Sequence, residues 1–171
     1  MTTTPWGKSH QVQHIVQGIN FYSTPSHGGY HVSPTMLRKM PLVLLNADGW
    51  YEEDCEWAKV VLAFPKFFPD KVWAEAKSTL RAWFPDIYEA LFQEVISPGN
   101  SLVKDDRSFL EKHKDDFIAI AAWLFEGGQV KVLAARGGDR SREMKYFLVS
   151  EEEYKPGNFL IIPSRHVEVK G

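Results

Sequence analysis

Phe117-Ile118-Ala119-Ile120-Ala121-Ala122-Trp123-Leu124 is the stretch on which the fold turns. It is apolar throughout, so periodicity alone does not separate a buried strand from a short helix. Its C-terminal neighbours favour a strand. Gln129 to Ala135 and Lys145 to Ser150 are rich in β-branched and aromatic residues, and the polar turn Arg136-Gly137-Gly138-Asp139-Arg140 joins them. A last strand is expected over Asn158 to Ile162, ahead of Pro163. Together these segments predict a C-terminal antiparallel β-meander.

Upstream the periodicity changes. Ser108-Phe109-Leu110-Glu111 is a capping-box pattern that predicts a short helix through Asp115. Pro85 suits the start of a helix striped by Ile87, Tyr88, Leu91 and Val95, and another helix is expected over 71–84, burying Trp73, Ala76, Leu80 and Trp83. Tyr51 to Phe64 reads as a third, with Tyr51, Cys55, Ala58 and Val61 on one face and Glu52, Glu53 and Asp54 in its first turn, where the helix dipole favours acids. Before it, Ser33-Pro34 opens a short helix through Met40. The N-terminal segment reads as strands at His10 to Val16, Ile19 to Thr24 and Tyr30 to Val32, with Pro25-Ser26-His27-Gly28-Gly29 as a turn that uses glycine's freedom at positive φ. The fold class predicted is α+β: residues 1–171 as a single globular domain with an N-terminal β/turn segment, central helices and the C-terminal meander.

Composition narrows the function. With 171 residues, 44% hydrophobic and 13% aromatic, the chain has ample material for a core. A net charge of −2 and a pI near 6.3 disfavour a dedicated nucleic-acid binder. No apolar run reaches the roughly 18–20 residues that span a bilayer, and the N-terminus lacks a signal-peptide pattern. Cys55 is the one cysteine, so no internal disulfide forms, and a cytoplasmic location in a bacterial host is expected. The charge is unevenly placed: residues 1–47 contain no Asp or Glu and hold four of the six histidines, whereas Asp48, Glu52, Glu53, Asp54 and Glu56 follow with no base before Lys59.

Thr4-Pro5-Trp6-Gly7, Ser23-Thr24-Pro25-Ser26-His27-Gly28-Gly29 and Gly49-Trp50-Tyr51-Glu52-Glu53-Asp54-Cys55-Glu56-Trp57-Ala58 carry a resemblance, as do Tyr146-Phe147-Leu148-Val149, Glu153-Tyr154 and Phe159 through His166. In combination they resemble an uncharacterised domain family of bacteriophage, plasmid and other bacterial mobile-element proteins. The resemblance implies a mobile-element setting, where small accessory proteins often counter host defences by binding. It implies no catalytic residue and no cofactor.

Three groups of residues have the chemistry for a site. His27, beside paired glycines that let a ligand approach the backbone, could act as a general acid or base with Glu53 or Asp54. His27, His31 and Glu52 could hold a divalent metal such as Mg²⁺. Trp6, Gly28, Gly29, Tyr30, Trp50 and Tyr51 are the candidate binding residues. Each group has a plain structural alternative: a tight turn with a surface histidine, helix-start acids in water, aromatic core. Adjacent acids should also raise the Cys55 thiol, which argues against a catalytic thiolate. The readings that remain are an accessory binding protein of a mobile element, acting on a protein partner or as a homo-oligomer, and a small metal-dependent hydrolase or nuclease.

Overall fold

The apolar stretch at 117 forms a strand, and the chain is α+β. The computed structural model describes residues 2–171. Contacts divide it into two compact units, one through Val103 and one from Lys104 to Gly171. No helix among the described residues is long and apolar enough to cross a membrane.

The first unit opens with a tight hairpin, β1 (Thr3–Thr4) and β2 (Gly7–Lys8). Antiparallel β3 (Gln11–Val16), β4 (Ile19–Ser23), β5 (Gly28–Val32) and β6 (Trp50–Glu52) then make a four-stranded sheet in sequence order. α1 (Pro34–Leu37) follows β5, and Ser33 accepts from the Met36 amide as its cap at 3.4 Å. α2 (Trp57–Ala63), α3 (Asp70–Trp83) and α4 (Pro85–Phe92) follow β6, with Pro85 at the first helical position. One face of the sheet buries Ile19, Val32 and Tyr51 against Leu44, Val60, Leu80 and Tyr88. Each such aliphatic side chain, fully buried, contributes about 1.5–3 kcal/mol.

In the second unit, β7 (Phe117–Phe125), β8 (Gln129–Arg136), β9 (Met144–Ser150) and β10 (Val167–Val169) form an antiparallel sheet in the order β10-β9-β8-β7. α5 (Leu102–Lys112) precedes it and spans the division between the units. Alternation along β8 and β9 buries Val130, Val132, Ala134, Phe147 and Val149 on one face. The predicted C-terminal meander is therefore present, with a bulge in β7 between Ala119 and Ala121.

Several expectations are corrected. The 51–64 helix does not exist as one piece: Tyr51 pairs with Tyr30 across β6 and β5, is fully buried, and the helix begins only at Trp57. Cross-strand burial of Tyr51 outweighs the helical spacing, so Glu52 ends a strand and Glu53 and Asp54 occupy the turn after it. Gly28 and Gly29 lie within β5 rather than in a turn, and neither has positive φ. The capping-box helix starts at Leu102 instead of Ser108. The segment 158–162 is not a full strand. It runs beside β7 through the Ala119 amide to the Phe159 carbonyl (2.9 Å), the Ile161 amide to the Phe117 carbonyl (2.8 Å) and an Ile118–Leu160 bridge, which covers the sheet edge. Trp83 and Val95, expected on buried stripes, are 50% and 87% exposed.

Candidate functional site

The three N-terminal motifs, far apart in sequence, meet on the side of the first sheet opposite its core. Strand register brings them there. Tyr22, Gly29 and Glu52 stand side by side across β4, β5 and β6, and Asn20, His31 and Trp50 form a second row on the same side. The row between them, Phe21, Tyr30 and Tyr51, points to the other side by strand alternation. Phe21 and Tyr30 pack edge to face at 5.0 Å, and Tyr30 meets Phe68 at 5.9 Å. Tyr30 and Tyr51, expected to bind a ligand, therefore belong to the core side. Burial raises both phenols above their ordinary pKa.

Trp6 arrives from the β1–β2 hairpin. Thr4 fixes that turn: its Oγ1 accepts from the Trp6 amide at 3.2 Å and donates to the Gly7 carbonyl at 2.8 Å. The indole then lies on Gly29. A Cβ there would overlap the Trp6 ring and stand 2.5 Å from the Tyr51 carbonyl oxygen. Gly28 is similar, since a Cβ would come within 2.5 Å of Glu53 Oε2 and 2.9 Å of Phe21 Cζ. Both glycines serve close packing, not turn geometry.

With Gly29 bare, Trp6 reaches Trp50, and the rings cross at 88° with centroids 5.7 Å apart. Trp50 also packs on Tyr22 (5.3 Å) and His31 (4.5 Å). A groove of about 750 Å³ opens beside the indole pair, lined by Trp6, Trp50, Asn46, Asp48, Glu52 and Glu56 among others. Its wall is held firmly. The Asn46 amide donates to Tyr51 Oη (3.0 Å) and its side chain donates to the Trp50 carbonyl (2.8 Å), while Gly49, at φ +72°, turns the chain so that Asp48 accepts from the Trp50 amide at 3.0 Å. Lys59 lies beneath: its buried Nζ donates to Asn46 Oδ1 (3.0 Å) and Glu56 Oε1 (3.1 Å) and sits 4.4 Å from the centre of the Phe84 ring.

The carboxylates differ in their charge balance. Burial works to raise Glu56, but hydrogen bonds from Asn46 and Lys59 and the Lys59 charge hold it below the usual value. Glu52 is raised, first by burial and then by Asp54 and Glu56, with His27 opposing. The His27 imidazole lies nearby, at 3.7 Å from Nδ1 to Oε1, and both side chains are accessible. Burial lowers His31, against the pull of Asp48, which favours a neutral ring against Trp50. Cys55 is raised by burial and by Glu52, Glu56 and Asp54, as its neighbours led us to expect.

The predicted catalytic and metal sets are thus brought together only in part. His27 pairs with Glu52, whereas Glu53 turns toward Gly28. His31 belongs to the Trp50 row, and no group of three or more His, Cys, Asp or Glu among the described residues is placed to hold a metal ion. Asn46 and Lys59 were not anticipated. The one signal for Lys59 is its place inside the apolar run Ala58-Lys59-Val60-Val61, where a charge on a buried helix face needs partners.

The cations around the β8–β9 turn of the second unit are engaged internally. Arg136 pairs with Glu143 (2.6 Å), Arg140 donates to the Ile120 carbonyl (2.9 Å), Arg142 pairs with Asp115 (3.4 Å), and Lys145 pairs with Glu168 (3.0 Å). Its aromatic exposure is at the end of β7, where Trp123 and Phe125 are about half exposed.

No curated protein and no solved structure matches the chain. Residues 1–114 match the family described as Domain of unknown function (DUF7007), about two thirds of the sequence and all of the first unit with its groove. The chain belongs to that family.

Proposed function

We propose that this is a binding protein rather than an enzyme, and that its first unit grips a lysine or arginine side chain of a protein partner between Trp6, Trp50 and the neighbouring carboxylates. The observation that carries this is the crossed indole pair beside Asp48 and Glu52 on one groove. A cation over an aromatic face gains about 0.5–2 kcal/mol, and a carboxylate at the same point adds charge-assisted hydrogen bonds. Glu52, raised first by burial and then by the acids beside it, is relieved by an added positive charge. The mobile-element setting rests on the resemblance of the motifs, and a role against a host defence system follows from that setting.

The test is calorimetric titration of an alternating Arg-Ser decapeptide and a matching Glu-Ser decapeptide into the full chain. Binding of the first alone, weakened about tenfold or more by Trp6→Ala, supports the reading. Equal binding of both peptides, or of neither, contradicts it.

The His27–Glu52 contact favours one second reading: a small metal-dependent hydrolase or nuclease in which Glu52, not Glu53 or Asp54, partners His27. It requires that plasmid DNA or a generic ester be cleaved in Mg²⁺ or Mn²⁺ and that His27→Ala abolish the cleavage. Turnover unchanged by that substitution removes it.

A further inference from the structure

We propose that two adjoining grooves between the β3–β4 turn, α1 and the end of α2 form a site for an amphipathic carboxylate, a small molecule with a hydrocarbon body and one anionic head. None of its residues belongs to the Trp6–Trp50 groove, so it stands independently of the binding reading above.

The first groove, about 450 Å³, has a floor of Met36 and Phe64, 8% and 6% exposed, with Val16, Ala63 and Phe67 as walls. The second, about 420 Å³, shares Gln17, Met36 and Lys39 with it and continues toward Ser33 and Thr35. Either space exceeds what one inserted side chain fills and lies in the size range of small-molecule sites, whose usual character is an apolar lining with few polar groups. The wall between turn and helix is fixed. Gly18, at φ +88°, packs without a side chain, and a Cβ there would stand 2.6 Å from Ser33 Oγ and 2.9 Å from Met36 Cγ. Its carbonyl accepts from the Ser33 amide at 2.8 Å. The cleft is therefore shaped before any ligand arrives.

Charge selects the head group. Lys39 and Lys66 both border the first groove, and no carboxylate lines either groove among the described residues. Lys66 Nζ lies 4.8 Å from the centre of the Phe67 ring, which keeps it at the wall. Neither lysine forms an ion pair among the described residues. Lys39 comes from the acid-free 1–47 stretch, which supplies no Asp or Glu to neutralise it, and Lys66 completes the basic rim of an apolar cleft. A carboxylate between two such ammonium groups, with its chain over Met36 and Phe64, satisfies both features.

The experiment titrates dodecanoate, below its micelle concentration, into the full chain by calorimetry, with methyl NMR reporting on Met36 and Val16. One site with a dissociation constant of about 0.1 mM is expected, with both methyls shifting. The Lys39→Gln/Lys66→Gln variant, which alters only exposed side chains, should bind about tenfold more weakly, and dodecanol should show no dependence on the lysines. Absence of dodecanoate binding overturns the proposal, as does binding that the double variant leaves unchanged or that leaves Met36 and Val16 unmoved. A Glu- and Leu-rich peptide that binds with lysine dependence where dodecanoate does not also overturns it, in favour of a protein segment.

Discussion

The chain carries two charge clusters, and they differ in what they lack. At the β8–β9 turn of the second unit, Arg136, Arg142 and Lys145 each meet a carboxylate within 4 Å, and Arg140 meets a backbone carbonyl. Around β6 in the first unit, Asp48, Glu52, Glu53, Asp54 and Glu56 share Lys59, which Glu56 engages, and His27, which Glu52 meets loosely. Charge density alone marks both. Around β6, Asp48, Glu53 and Asp54 have no ion-pair partner among the described residues, and it is this cluster that borders a groove walled by indoles. A charged patch becomes informative once its internal partners are accounted for.

The largest effect that sharpens this contrast is expected at Lys59. Lys59→Met should lower stability by about 2–3 kcal/mol at neutral pH, less than for a fully enclosed pair because Glu56 is partly accessible. Glu56 is held below its ordinary value, so its contribution is present above about pH 4.3 and is lost as pH falls through the folded value. Chemical denaturation across pH should therefore show the deficit shrinking toward pH 3. A deficit constant with pH breaks the Lys59–Glu56 assignment.

Gly29→Ala comes next. The added methyl meets the Trp6 ring and the Tyr51 carbonyl, so about 1–3 kcal/mol should be lost, with a change in tryptophan emission as Trp6 is displaced. Unchanged stability and emission would show that Trp6 does not pack there.

These two residues also show how far the sequence can be read. The C-terminal meander is legible because strand alternation, a Gly-Gly turn and β-branched composition agree. The 51–64 region misleads because the same residues satisfy a helical spacing, and the burial of Tyr51 opposite Tyr30 is a long-range fact invisible in a local window. The importance of the Gly28-Gly29 pair is legible, but its reason is not: the ring above Gly29 comes from 23 residues earlier. The candidate residues Trp6, Trp50, Glu52 and His27 do converge, whereas Tyr30 and Tyr51 face the other way because strand parity places them there.

Glu52→Gln should move stability and binding in opposite directions. The folded pKa of Glu52 is raised, so its ionised form is disfavoured on folding. The penalty is present above that value and absent below the unfolded one, near pH 4.3. The variant should gain up to about 0.5 kcal/mol at pH 7 and nothing at pH 3, while binding the Arg-Ser peptide several-fold more weakly. Loss of stability at pH 7 would mean that Glu52 is a structural acid. The smallest effect is expected at Arg140→Ala: about 0.5 kcal/mol or less in thermal unfolding, and no change in peptide binding. A binding loss there would shift the interaction surface to the second unit.

The most direct test of the groove is an NMR titration of the six indole N–H signals with tetramethylammonium chloride, referenced to equal sodium chloride. Selective, saturable shifts of Trp6 and Trp50, diminished in Glu52→Gln, are the predicted result. Uniform shifts of all six indoles, or none at Trp6 and Trp50, would contradict a cation-binding groove.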